Sequence, residues 1–256
     1  MTAPDAPGLP PAAADLLRRL QARGAVRDFR PDPVPEPWLD ALLAAGQRAP
    51  TSSNLQACSV IVVRDAQLRE RLAALASNQR HVADCPVFLV FCADLSRVAL
   101  ACEAQGAAMD DTLELGLVAS IDAALVAMTL ATAAETMGLA SVFIGALRNH
   151  PREVAGLLGL PPRAFAAFGL CLGWPRTPPV PKPRLPRAAF VHENRYDSSV
   201  SAAALADYDR ELAGHYRARG KETTDDSWSR ATGRKFSVGR RRALRDELAA
   251  LGLRME

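Results

Sequence analysis

One long apolar segment constrains the fold of this chain more than any other feature. The segment from Thr112 to Met137 has a helical pattern, and only Asp122 interrupts its apolar run between Glu114 and Glu135. Each uninterrupted part is well short of the ~18 residues that indicate a membrane span. Because a helix that is apolar on all sides is buried, the sequence predicts a soluble protein with this helix in its core.

Length and composition agree with a folded globular chain. The 256 residues suffice for one large domain, and 49% of them are hydrophobic while 23% are charged. The net charge of +3 is too small to indicate nucleic acid by itself. The five cysteines contain no C-x-x-C pair, which argues against a disulfide scaffold or a zinc ribbon. With no signal-peptide pattern at the N-terminus, we expect a cytoplasmic protein without a membrane segment.

The order of predicted elements indicates an α+β protein. Residues 1–13 are predicted to be a flexible leader, and residues 14–256 a single domain. Predicted strands cover residues 58–63, 87–92, 140–144 and 164–173, and predicted helices include 67–76, 112–137, 152–158, 201–216 and 240–251. Strands and helices do not alternate regularly, so we assign the α+β class and leave the strand order open.

The common catalytic signatures are missing. The sequence contains no P-loop, no G-x-G-x-x-G, no G-x-S-x-G and no H-E-x-x-H. Its four histidines are scattered, and each is predicted to be structural or exposed to solvent. We therefore expect the chemistry to come from a cofactor.

Two pairs of cations are candidates for binding an anion. Arg23 and Arg27 share a face if the first helix extends that far, although a solvated cationic turn has the same spacing. Lys182 and Arg184 flank a proline, and in an extended segment their side chains would point the same way. A rigid pair of like charges suits an ordered phosphate.

Two polar turns are candidates for contacting a ligand. The loop Thr51-Ser52-Ser53-Asn54-Leu55-Gln56 follows a helix and precedes a strand. It is either a turn and cap cluster or a hydrogen-bonding wall for the edge of a heteroaromatic ring. Gly145-Ala146, after a predicted strand, permits a tight turn or the close approach of a ligand to backbone N–H groups.

Several motifs, taken in order, resemble those of one enzyme family. They are Arg23-Gly24-Ala25-Val26-Arg27-Asp28-Phe29, Ala49–Gln56, Gln79-Arg80-His81-Val82, Phe91–Asp94, Val142–Asn149, Phe168–Pro175, Lys182–Pro186 and Val191–Asn194. Together they resemble the flavin-dependent nitroreductases, and most closely the NADPH-preferring branch of oxygen-insensitive nitroreductases and flavin reductases. The resemblance extends from about Arg23 to the C-terminal helix.

The resemblance implies a fold and a set of cofactor-binding residues. The expected fold is a mainly antiparallel sheet flanked by helices in an intertwined homodimer, with one FMN in each cleft between subunits. By position, Arg23, Lys182 and Arg184 would bind the FMN phosphate, and Arg27 would lie at the N1/O2 edge of the flavin. The remaining implied FMN contacts are Ser52, Ser53, Asn54, Gln56, Gln79, Ile144, and the backbone N–H groups of Gly145 and Ala146 facing N5.

The resemblance also has departures. Arg219 matches the position that this branch uses for the 2′-phosphate of NADPH, but Thr224, beside Asp225 and Asp226, stands where a second basic residue is expected. The sequence therefore leaves open whether NADPH or NADH is the preferred reductant. Gly24 and Ala25 replace a cationic residue and a serine of the family motif. The loss of one hydrogen bond to the phosphate would weaken FMN binding by about tenfold.

The implied function is an FMN-dependent NAD(P)H oxidoreductase with ping-pong kinetics. NAD(P)H would reduce FMN, and a nitroaromatic, a quinone or a free flavin would then take two electrons at the same face. The resemblance implies no catalytic side chain and no metal, and the charge of Arg27 would stabilise the reduced ring. The alternative is a weakened member of the family that stores flavin. A nucleic-acid-binding module is disfavoured, because Arg240-Arg241-Arg242 lacks interleaved aromatics and matches the solvated start of the last helix.

Overall fold

The computed structural model describes residues 8–221 and 227–255. Within them, four strands form one antiparallel sheet in the order β1-β2-β4-β3. The strands are β1 (Cys58–Val63), β2 (Val87–Asp94), β3 (Ala140–Ile144) and β4 (Ala164–Gly173). The two longest strands are central and buried along nearly their whole length. The predicted mainly antiparallel sheet and the α+β class are confirmed.

Ten α-helices accompany the sheet in the described part of the chain. They are α1 (Pro11–Gln21), α2 (Glu36–Gln47), α3 (Ala66–Leu75), α4 (His81–Asp84), α5 (Ser96–Ala104), α6 (Leu113–Thr136), α7 (Pro151–Leu158), α8 (Ser201–Arg217), α9 (Trp228–Phe236) and α10 (Leu244–Ala249). The sequence did not predict α4, α5 or α9. Within the described residues, the last two contain no fully buried residue.

The sheet is covered on both faces. Successive side chains of a strand point to opposite faces, and β2 divides in this way between two apolar clusters. Leu89 and Phe91 belong to the cluster that contains α2 and α6, whereas Phe88 and Val90 belong to the cluster that contains α3 and α7. This layering explains why β2 reads as a continuous apolar run.

Helix α6 is only partly a core helix. Its sheet-facing side is buried, and it ends before Gly138, whose φ of 81° suits glycine. Its other side exposes four apolar residues at four-residue intervals, Leu113, Leu117, Ile121 and Leu125. By length and composition α6 could cross a membrane, and 44% of its most apolar window is buried. The predicted core helix is therefore confirmed for its sheet-facing side, whereas the opposite side is exposed in the single chain.

Two helix boundaries differ from the sequence predictions. Helix α1 begins at Pro11, inside the predicted leader, because proline is favoured at a first helical position and alanine favours helix. Residues 1–7 of that leader lie outside the described residues. Helix α1 ends at Gln21, so Arg23 and Arg27 do not share a helical face. Helix α10 begins at Leu244 rather than at Arg240.

The chain divides into two compact units. One contains the sheet and comprises Met1–Pro179 with Arg241–Glu256, and the other is Val180–Arg240. In the second unit α8 buries Tyr208, whose ring lies 6.3 Å from that of Trp228 in α9. The predicted single domain over residues 14–256 stays a prediction.

Candidate functional site

The polar loop after α2 has an unusual backbone. Ser52–Asn54 form a 3₁₀ turn, and φ is positive at Ser53 (48°), Asn54 (56°) and Gln56 (51°). Residues other than glycine rarely adopt this region, and such strain clusters at functional sites. Ser52, Ser53, Asn54 and Gln56 are all exposed. The loop is therefore a turn that presents hydroxyl and amide groups to solvent.

Asp122 of α6 accepts hydrogen bonds from the backbone at both ends of this loop. Its side chain is fully buried, with Oδ1 accepting a hydrogen bond from the Ser52 N–H at 3.0 Å and Oδ2 one from the Ala57 N–H at 3.1 Å. In the sequence, Asp122 stands out only as an interruption of the apolar run. The signal that could have indicated its role is a single carboxylate in an apolar helix, because such a group is costly to bury without partners.

A second carboxylate supports the end of the loop. Arg97 donates to the carbonyl oxygens of Gln56 and Cys58 at 2.9 and 2.7 Å, and to Asp94 Oδ2 at 3.0 Å. Burial opposes ionisation of Asp94, but hydrogen bonds from Ser59 and Ser96 and the charge of Arg97 outweigh it and lower the pKa of that carboxyl. The loop is thus held at both ends by ionic side chains.

A cavity of about 570 Å³ lies beside the loop, between α2, β1 and α6. Its lining includes Thr51, Gln56, Cys58 and Arg97, with apolar side chains from the two helices. Burial raises the pKa of the Cys58 thiol to about 12, so this thiol is not a nucleophile at neutral pH. Of the residues that the sequence predicts to bind a cofactor, Gln56 is the one that lines this cavity.

Arg23 has a partner that the sequence did not indicate. Its Nε and Nη2 donate to the two carboxylate oxygens of Glu135 at 2.6 and 2.7 Å, and Nη2 also donates to Thr132 Oγ1 at 3.2 Å. This bidentate pair joins the segment after α1 to the end of α6. Arg23 therefore fixes its own segment as well as offering a cation.

Arg27 is a second candidate cation, and its surroundings differ from those of Arg23. Within the described residues, the exposed Arg27 makes no hydrogen bond or salt bridge. Burial and the nearby charge of Arg27 lower the pKa of His81, whose buried Nε2 lacks a hydrogen-bond partner. The half-buried Gln79 donates from Nε2 to the carbonyl of Ala76 at 2.8 Å. The guanidinium of Arg27 can therefore donate charge-assisted hydrogen bonds to an anion or to the electron-rich edge of a ring.

The turn after β3 lies among arginines. Ile144 is buried and ends β3, and Gly145 and Ala146 begin a 3₁₀ turn. A Cβ on Gly145 would lie 3.3 Å from the guanidinium of Arg148, and Arg241 donates to the Gly145 carbonyl at 3.1 Å. Arg241, predicted to lie at a solvated helix start, is instead part of this turn, because α10 begins after it.

The other predicted cations lie in the second unit. Lys182 Nζ donates to Tyr216 Oη at 3.0 Å, and Arg184 folds back to donate to the Lys182 carbonyl at 3.2 Å. Both are exposed, and Tyr208 of α8 holds the intervening Pro183 carbonyl at 3.0 Å. Arg219 is exposed just after α8. Thr224, Asp225 and Asp226 lie outside the described residues.

The donor set fits FMN in chemistry. The loop after α2 offers neutral donors and acceptors suited to a ring edge and a ribityl chain, and Arg27, Lys182 and Arg184 are exposed cations suited to a phosphate or a reduced ring. Over residues 8–221 and 227–255, no group of three or more His, Cys, Asp or Glu side chains could hold a metal ion. The residue types within each unit therefore suit one part of a nucleotide cofactor.

The sequence matches two family models, which together cover most of the chain. The nitroreductase family matches residues 20–174, and the C-terminal domain of the same family matches residues 182–256. The chain is 42% identical to an oxygen-insensitive NADPH nitroreductase of Salmonella typhimurium over 213 residues, which are 83% of this chain and 87% of the relative. It is 35% identical to an NADPH-flavin oxidoreductase of Vibrio harveyi over 84% of this chain and 88% of the relative.

Solved structures give the same result. The structure of NfrA2 from B. megaterium superimposes with a TM-score of 0.90 at 33% identity, covering 94% of this chain and 99% of that one. The NADPH:FMN oxidoreductase of Vibrio harveyi in complex with NAD⁺ gives a TM-score of 0.86 at 33% identity, covering 94% of this chain and 100% of that one. The sequence matches and the shared fold establish that the chain belongs to the nitroreductase family.

Proposed function

We propose that the protein is an FMN-dependent NAD(P)H oxidoreductase that reduces nitroaromatics, quinones or free flavin. Relatives at 35–42% identity carry the names NADPH nitroreductase, NADPH-flavin oxidoreductase and FMN reductase. The observation that carries the proposal in this chain is the exposed polar loop Ser52–Gln56, which has three left-handed residues and is held by the buried carboxylate of Asp122. Flavin storage without turnover is not favoured, because these relatives are named as enzymes.

The cofactor-binding roles are assigned residue by residue. Ser52, Ser53, Asn54, Gln56 and Gln79 hydrogen-bond the ring and the ribityl chain. Ile144 contacts the cofactor, and the backbone N–H groups of Gly145 and Ala146 face N5. Lys182, Arg184 and Arg23 bind the phosphate, and Arg23 does so while keeping its pair with Glu135.

The chain's own contribution to the reaction is orientation and charge. FMN, when bound, supplies the transfer of hydride from NAD(P)H and of electrons to the acceptor. Arg27 places a positive charge at the N1/O2 edge, where it stabilises negative charge without changing position. Arg219 binds the phosphate end of the nicotinamide cofactor. A single binding face for NAD(P)H and for the acceptor gives ping-pong kinetics.

We further propose a cytoplasmic homodimer. The apolar stripe of α6, Leu113, Leu117, Ile121 and Leu125, has exposed fractions between 39% and 55%. A contiguous exposed apolar stripe of this kind indicates a protein interface, and a second copy of the chain supplies an identical apolar surface. The five cysteines are all free thiols, which suits a reducing compartment.

The test is to purify the protein, add FMN and remove the excess. We expect a bound flavin in the absorption spectrum, bleached by NADPH or NADH under argon and restored by a nitroaromatic or a quinone. Initial rates over both substrates are expected to give parallel double-reciprocal lines. A bound flavin that stays oxidised with both nicotinamides would support storage and contradict the proposal, and so would a protein that retains no flavin.

A further inference from the structure

The buried carboxylate of Asp122 has a cost that the packing of α6 does not require. Its neighbours on the buried side of the helix, Ala119, Ala123 and Ala127, are small and apolar. An apolar side chain at this position would match these neighbours, but it would leave the Ser52 and Ala57 N–H groups without their acceptor. The acid must therefore be explained by what it binds.

What it binds are the two ends of one exposed loop. One oxygen accepts the Ser52 N–H at 3.0 Å and the other accepts the Ala57 N–H at 3.1 Å. Both donors are backbone groups, so the carboxylate determines the path of the chain and not the identity of any side chain. The span between them contains Ser53, Asn54 and Gln56 with positive φ.

Left-handed conformations at three non-glycine residues need such support. Backbone strain of this kind persists only where the surroundings over-determine it. The side chains of Ser52, Ser53, Asn54 and Gln56 are exposed, so they supply little packing of their own. Asp122 fixes the entry and the end of the turn, while Arg97 holds the carbonyls of Gln56 and Cys58 on the other side.

We propose that Asp122 is a positioning residue, which presets the loop Ser52–Gln56 for binding FMN. The inference rests on the proposed function, because the loop is assigned there to the ring and the ribityl chain. Asp122 itself does not contact the cofactor and acts through the loop. It removes the conformational cost of ordering the loop before the cofactor binds, as preorganised sites do.

The direct test is Asp122→Asn, which keeps the shape of the side chain. One of the two N–H donors would then face an amide NH₂, which is itself a donor, so one end of the loop is released. The hydrogen bond that is lost is one to a charged group, and we expect the Kd for FMN to rise by roughly tenfold to a hundredfold. We also expect the visible circular dichroism of the bound flavin to change, because the ring is held less firmly.

A control separates positioning from loss of stability. Val154 is fully buried in α7, and Val154→Ala creates a small cavity without touching the loop. FMN binding by the two variants is compared at temperatures equally far below their melting points. Weakened binding and an altered flavin signal in Asp122→Asn alone support positioning, and equal effects in both variants would overturn it.

A measurement on the unmodified protein keeps the inference testable if Asp122→Asn does not fold. Without FMN, the exposed Ser52 should still show slowed amide hydrogen exchange, as should Ala57, because both N–H groups are bound to a buried carboxylate. Exchange at the rates of an unstructured peptide would overturn the inference. Failure of the wild-type protein to bind FMN would contradict the proposed function instead, and wild-type affinity in Asp122→Asn would contradict this inference alone.

Discussion

At the scale of single residues, the candidate site depends on which cations and carboxylates are already paired. Arg23 is held by Glu135, whereas the described structure gives Arg27 no hydrogen-bond partner and leaves it exposed. Lys182 contacts the hydroxyl of Tyr216, a neutral group that does not cancel its charge. These three of the four cations that the sequence selects are therefore not equivalent.

This difference predicts distinct effects for two alanine variants. Arg27→Ala should slow reduction of bound flavin by NADPH, because it removes the charge that stabilises the reduced ring. Lys182→Ala should chiefly raise the Kd for FMN, by about tenfold, because it removes a charge-assisted bond to the phosphate. Stopped-flow absorbance and FMN titration measure the two effects. Arg187→Ala is the control, because Arg187 lies in the same unit as Lys182 and is also exposed. Wild-type behaviour of both test variants would contradict the residue assignments.

Asp94 makes stability depend on acid pH. Its pKa is lowered in the folded protein, so its contribution is present above the ordinary carboxyl pKa and is lost as the pH falls through the folded value. Asp94→Asn should lower the free energy of unfolding at neutral pH by roughly 1–3 kcal/mol. The difference from wild type should shrink below about pH 4. Urea unfolding across this range measures it, and a difference independent of pH would contradict the assignment.

At the scale of elements, α6 has two roles on its two sides. One side packs on the sheet and carries the buried Asp122, which holds the polar loop. Glu135, near the end of the helix, pairs with Arg23. The other side exposes the apolar stripe proposed as the dimer interface. One helix therefore connects the core, the loop and the proposed subunit contact.

A charge on the stripe should weaken the proposed dimer. Leu117 is 49% exposed at the middle of the stripe, and Leu117→Glu would bury an unpaired carboxylate in the interface. We expect the dissociation constant of the dimer to rise by about tenfold or more, measured by sedimentation. Leu100→Glu is the matched control, because Leu100 is 63% exposed on α5, outside the stripe. A wild-type protein that is monomeric at all concentrations would contradict the interface.

At the scale of the whole molecule, cofactor binding should be linked to stability. A ligand that binds only the folded state stabilises it by about 2.7 kcal/mol when its free concentration is about 100 times Kd. FMN should therefore raise the melting temperature of the wild-type protein in proportion to the logarithm of its concentration. Riboflavin, which lacks the phosphate, is the control and should stabilise less. Equal shifts with both flavins would argue against a cationic phosphate site.

The sequence predicted the sheet and the positions of the candidate loops well, because both depend on neighbouring residues. The segments at 58–63, 140–144 and 164–173 are strands with the predicted bounds. The β-branched and apolar runs that identify them are local patterns. The polar loop and the turn at Gly145 were likewise identified from residues adjacent in the chain.

What the sequence alone determined, then, is the α+β class, the family and the residue types available to a nucleotide cofactor. Tertiary structure decided which of those residues are paired, which side of α6 is exposed, and that Arg241 belongs to the turn at Gly145. The physical reason is separation along the chain: Asp122 lies 65 residues from Ala57, and Glu135 lies 112 residues from Arg23. No local pattern encodes such contacts, because they form only when packing brings α6 against the loop and the segment after α1.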